Sequence, residues 1–177
     1  MARPHLSAET VDREAVGRVA ASVQLLDVRL VMHHAALNCD RNDIPVDWAA
    51  KARLGVDCHV GATEGDRTLF TVHGFFFVEF WRDESQEPET QQEEGDNPPD
   101  VDISLVYELD YELKDKEGIS EDDLEHFAYL NARFNAWPYF RQTVQTSTTQ
   151  MGIRPLVVPV HTVRPIAVPA GGSAPGP

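Results

Sequence analysis

Only two cysteines occur in the chain, Cys39 and Cys58, which excludes a disulfide framework. Cys58 falls on an apolar strand pattern and is expected to be a buried, inert thiol. Basic residues are scarce as well: 15 Lys and Arg stand against 29 Asp and Glu, a formal net charge of −14. A field of that sign repels phosphate backbones, and no compact basic patch offsets it, so no nucleic-acid partner is expected. Apolar runs stay well short of the ~18 residues that a membrane-spanning helix needs. The start Met1-Ala2-Arg3-Pro4-His5 offers no apolar core of a signal peptide. A cytoplasmic protein without membrane insertion is therefore expected. The sequence also lacks a G-x-S-x-G elbow, a Gly-rich phosphate loop and an H-E-x-x-H pair. His33, His34, His59, His73 and His126 do not adopt metal-ligand spacing with the cysteines. Catalytic residues, a metal and a cofactor are not expected, and neither is an enzyme.

What is present fits one domain: 177 residues with 42% apolar side chains, enough for a single core. Ser7 to Ala21 reads as a short amphipathic helix capped by Ser7, with Val11, Ala15 and Val19 on one side. Strand patterns follow at Val23–Ala35, Ala52–Val60, Thr68–Trp81 and Val101–Leu113. The last sets Val101, Ile103, Leu105, Tyr107, Leu109, Tyr111 and Leu113 against an acidic face broken only by Val106, as in an antiparallel sheet with one wet side. The third is apolar on both faces, through Phe70, Val72, Phe76 and Val78 against Phe75, Phe77 and Trp81. Ser120 opens the major helix, whose apolar stripe is expected through Leu124, Phe127, Tyr129, Leu130, Phe134 and Trp137. Pro138 should break or kink it, and Gly152 should end it.

Three segments look unlike a packed core. Residues 83–100 hold eight acidic side chains, three prolines and no basic residue, and should form a solvated loop. Residues 1–22 read as an N-terminal helix or arm. Six of the twelve prolines follow Gly152, so 161–177 should be a disordered tail. The chain also carries more apolar surface than a small sheet requires, with Phe75, Phe76 and Phe77 in succession and Ile44, Val46 and Trp48 in a connection that would ordinarily be polar. Such surplus marks a binding surface or an oligomer interface. A ligand pocket or active site with Asp57, His59 or His73 is the rival.

Two segments resemble the SecB protein-export chaperones. Asp47-Trp48-Ala49-Ala50-Lys51-Ala52-Arg53-Leu54-Gly55-Val56-Asp57 is similar to the family's D-W pair and its following basic–Leu–x–aliphatic strand. Asn135-Ala136-Trp137-Pro138-Tyr139-Phe140-Arg141 is similar to its aromatic–Pro–Tyr–x–Arg signature. Thr146 to Thr149, Gly152 and Pro155-Leu156-Val157-Val158-Pro159-Val160 follow at the family's spacing. The resemblance spans residues 23 to 160. It implies an α+β protomer: a four-stranded antiparallel sheet with a long C-terminal helix kinked at a proline, assembled as a dimer of dimers. It further implies an ATP-independent holdase for unfolded or unassembled clients, with Ile44, Val46, Trp48, Leu54, Val56, Phe134, Trp137 and Phe140 as the client-binding set. SecB proper continues into a second helix, which Pro165, Pro169 and Pro175 forbid here. That departure leaves docking to the ATPase SecA open. It brings the chain nearer to the SecB-like chaperones of toxin–antitoxin systems, whose client is an antitoxin, than to general protein export.

Overall fold

A computed structural model describes residues 10–46, 48, 50–64, 67–82, 98–115 and 117–159, with the backbone alone at 52–64 and 67. The elements run α1 (Arg13–Ser22), β1 (Val23–Leu37), a 3-10 turn (Arg41–Asp43), β2 (Lys51–Glu64), β3 (Arg67–Phe80), β4 (Val101–Leu113) and α2 (Glu121–Gln150). All pairings are antiparallel, in the order β1-β4-β3-β2. The α+β class, the antiparallel sheet and the long C-terminal helix are those the sequence predicts. The expected start of α1 at Ser7 is corrected: Asp12 caps it, accepting from the backbone N–H groups of Glu14 and Ala15. Ser7 itself lies outside the described residues, as do 83–97 of the acidic segment and 161–177.

Alternation along β4 builds the core. Val101, Ile103, Leu105, Tyr107, Leu109, Tyr111 and Leu113 are all buried, next to Phe70, Val72, Phe76 and Val78 of β3. Gly74 is needed between the last two pairs: a Cβ there would meet the Phe76 ring at 3.0 Å. The opposite face is wet and charged. Arg29 of β1 bonds both Glu108 and Asp110 of β4, and Glu108 also pairs with His73 of β3 at 3.0 Å. The bonds from Arg29 and His73 hold the Glu108 carboxyl below its ordinary range. Val106, the apolar exception, pairs in register with Met32 and Phe75.

Helix α2 covers the core face by a stripe that the sequence reading places only in part: the expected Leu124 and Phe127 are buried, but the stripe then follows a different course. Leu124, Ala128, Ala132, Ala136, Phe140, Val144 and Thr148 are buried, whereas the expected Leu130 and Phe134 are exposed. A strict four-residue step carries the stripe about 40° further around the axis each time. Different elements therefore cover successive turns. Near its start, α1 docks through Ala15 and Val19, with Arg18 bonded to Asp123 at 2.8 Å. Ser120 and Asp123 form a reciprocal capping box there. One turn on, Phe127 packs edge-on against Phe70 and Tyr111, and beyond the middle of the helix Phe140 stacks on Phe76 at 4.9 Å. The helix continues through Pro138, which therefore does not break it. Pro138 and Phe134 are both exposed, so the Phe134 carbonyl left without a donor lies on the wet side, where the cost is least. The helix ends in a Schellman turn: Gly152, at φ +74°, donates to the Thr149 carbonyl and Ile153 to that of Thr148.

Candidate functional site

Beyond Gly152 the chain doubles back along α2 as an extended segment, 153–159, and meets the β1–β2 connection. Ile153 and Val158 turn inward and are buried, Leu156 packs partly against the core, and Val157 points outward. The segment is gripped mainly by its carbonyls. Trp48 Nε1 donates to the Arg154 carbonyl (3.3 Å), Arg141 Nε to that of Val158 (2.7 Å) and Trp137 Nε1 to that of Pro159 (2.9 Å). In return, Arg154 donates to the Val46 carbonyl at 2.7 Å, and the Leu156 N–H reaches Thr148 Oγ1 at 3.1 Å. Trp48 is edge-on to Phe80, and Trp137 lies between Phe140 at 5.1 Å and the Arg133 guanidinium at 5.3 Å.

The residues predicted to bind clients thus fall into distinct positions. Trp48, Trp137 and Phe140 converge on the groove that holds segment 153–159. Phe140 is fully buried and Trp48 only 9% exposed, so Phe140 forms part of the floor and not a wall, and Trp48 shows little more than an edge. Ile44 packs partly on the core. Val46, 76% exposed, and Phe134, 51% exposed, face outward. Leu54 and Val56 pair in register with Phe76 and Gly74, and their side chains lie outside the described ones. Sequence reasoning placed Arg141 in the aromatic–Pro–Tyr–x–Arg signature but gave it no role, and it missed Arg154, because an arginine that bonds a main-chain carbonyl carries no motif of its own.

It also missed β1. This edge strand exposes Leu25, Leu26, Leu30, Val31 and Met32, and Leu26 and Val31 fall at its two register shifts. Between β1 and α2 lies an open cavity of about 510 Å³, lined by Val28, Leu30, His33, Tyr107 and Tyr139 among others. Two pairs of its polar groups bond each other: Tyr107 OH with Thr143 Oγ1 at 2.8 Å, and His33 Nε2 with Ser147 Oγ at 2.9 Å. Ser147 already donates to the Thr143 carbonyl, so His33 must donate to it. A histidine with that polarity is not poised to take the serine proton. Of the rival pocket residues, His73 sits on the opposite, open face with Glu108, and the side chains of Asp57 and His59 are outside the described ones. Among the described residues no three His, Cys, Asp or Glu side chains gather as a metal site, and no helix is long and apolar enough to cross a membrane.

The protein thus combines a half-covered antiparallel sheet, one long helix through a proline and a groove that addresses main-chain carbonyls. Comparison with known proteins finds similarity to SecB-like chaperones. SecB-like chaperone Rv1957 of Mycobacterium tuberculosis is 25% identical over 171 residues, covering 95% of this chain and 93% of that protein. SecB-like chaperone MT2006, from another strain, is 26% identical with the same coverage. Among solved structures, Rv1957 in complex with a ChAD peptide from the Rv1956 HigA1 antitoxin superposes with a TM-score of 0.65 at 18% identity. That match covers 87% of this chain and 100% of that one, and shows a shared fold. No family model matches. The chain is similar to SecB-like chaperones over almost its whole length.

Proposed function

We propose that this protein is a cytoplasmic, ATP-independent holdase that binds unfolded or unassembled polypeptide. Its near full-length similarity to named SecB-like chaperones carries the reading. The physical support is exposed apolar surface on β1, on the connection at Val46 and on α2 at Leu130 and Phe134. Burying such surface against a client contributes about 25 cal/mol per Å² without demanding a particular sequence. In the proposed protomer, a four-stranded sheet backs a helix bent at Pro138. Val46 and Phe134 supply exposed contacts beside Ile44, Leu54 and Val56, Trp48 and Trp137 supply donors, and Phe140 supplies the floor. Residues 23–160 form the chaperone domain, with α1 packed onto it and 161–177 as a tail. Since a relative is seen with an antitoxin peptide, the proposed client is the antitoxin of a toxin–antitoxin system. Delivery of preproteins to SecA is the alternative.

The assembly follows from β1. Among the described residues β1 is a long edge strand with exposed apolar side chains, and such an edge is a template for another strand, so two copies are proposed to join there, and two such dimers to form the tetramer. The holdase reading is tested by aggregation of a chemically unfolded substrate without nucleotide. The wild type should delay it at near-stoichiometric ratios, and Val46→Asp with Phe134→Asp should lose most of that effect. Equal protection by both proteins removes this surface from the mechanism.

A further inference from the structure

Three of the side chains that hold segment 153–159, those of Trp48, Trp137 and Arg141, donate to its carbonyls, whereas its N–H groups are met at Thr148, whose carbonyl takes that of Ile153 in the helix-ending turn and whose hydroxyl takes that of Leu156. Carbonyls are common to every residue, proline included, so a groove built this way accepts extended chain of varied sequence. What it selects is the apolar spacing: Ile153, Leu156 and Val158 point inward at i, i+3 and i+5, while Pro155, Val157 and Pro159 are exposed. The occupant is also proline-rich, which suits an extended backbone.

We infer that segment 153–159 is an internal occupant of the client groove, and that clients of the same chemistry bind by displacing it. The inference rests on the holdase reading and names its substrate class: extended, aliphatic, proline-tolerant polypeptide with apolar side chains at i, i+3 and i+5. The tether makes the occupant a competitor at high effective concentration. Weak or folded sequences then stay out, and the apolar floor formed by Phe140 and Phe76 stays covered between clients. Apparent affinity for a client is lowered by the fraction of molecules in which the groove is free.

A labelled peptide with the sequence of residues 152–160 serves as the probe, read by fluorescence anisotropy on the full chain. Leu156→Asp with Val158→Asp loosens the internal segment, and peptide affinity should rise at least about tenfold over wild type. In that background Arg141→Gln and Trp137→Phe should weaken the peptide again. A peptide with proline in place of Leu156 should bind less well, because Thr148 loses its donor, whereas one with proline in place of Val157 should not. Hydrogen exchange on the wild type avoids dependence on the loosened variant: saturating peptide should deprotect the Leu156 amide. Equal peptide affinity in folded wild type and loosened variant, or unchanged exchange at Leu156 under saturating peptide, overturns the inference. So does a loosened variant that binds peptide tightly yet delays client aggregation no better than wild type. If no form delays aggregation while the peptide still displaces the segment, the holdase reading fails and the displacement stands.

Discussion

Phe134 and Phe140 lie six positions apart on the same helix and do opposite work. Phe140 has no exposed surface and stacks on Phe76; Phe140→Ala should cost ~3–5 kcal/mol of stability, as for other buried aromatics. Phe134 is half exposed. Phe134→Ala should leave stability within about 0.5 kcal/mol while weakening client protection. Urea unfolding of the two variants alongside the aggregation assay separates the roles, and a stability loss at Phe134 comparable to that at Phe140 would contradict them. Asp123 gives a pH prediction at the same scale. The Ser120 N–H, helped by the Arg18 guanidinium, holds its carboxyl below the ordinary 3.8. A depressed carboxyl contributes fully above that value and progressively less below it. Stability should therefore fall as pH drops below 3.8, and Asp123→Asn should flatten that part of the urea-midpoint profile. An unchanged profile would remove Asp123 from the acid transition.

Among the elements, the strands were the most legible. Period-two alternation fixed β4 at Val101–Leu113, residue for residue, because one side is buried under α2 and the other is wet. The β1 pattern stops short of the true end and is blurred, since Leu26 and Val31 fall at register shifts and break the alternation. Helix α2 was legible in extent but not in face. Its large side chains suggested a stripe through Leu130 and Phe134, whereas Ala128, Ala132 and Ala136 are the ones buried in the core. Such small side chains give little signal in hydrophobicity. The groove was half legible: Trp48 and Trp137 stood in recognisable motifs, but their bonding to 153–159 depends on tertiary placement. The helix end was readable because only glycine takes φ +74° without strain. Gly152→Ala should lower stability by about 1 kcal/mol or more and loosen 153–159, which starts at that turn. A thermal melt of this variant unchanged from wild type would contradict the role of the Schellman turn.

At the scale of the whole molecule, two sets of exposed apolar side chains stand out among the described residues: those of edge strand β1 with its neighbouring cavity, and those of Val46 and Phe134. The first is proposed for assembly, the second for clients. Leu26→Lys with Val31→Lys places charge on the edge, a common device against strand pairing. It should shift the protein from oligomer to monomer in light scattering after gel filtration; an unchanged mass would place the subunit contact elsewhere. A net charge of −14 suits the proposed holdase role, in which the protein stays soluble while carrying apolar cargo. The central claim, that the chain holds unfolded polypeptide without nucleotide, is tested most directly by light scattering of an aggregating, chemically unfolded substrate with near-stoichiometric protein. Holdase action predicts a delay that scales with protein concentration, is indifferent to ATP and shrinks in Val46→Asp with Phe134→Asp. Aggregation proceeding at the same rate with and without the wild-type protein would contradict it.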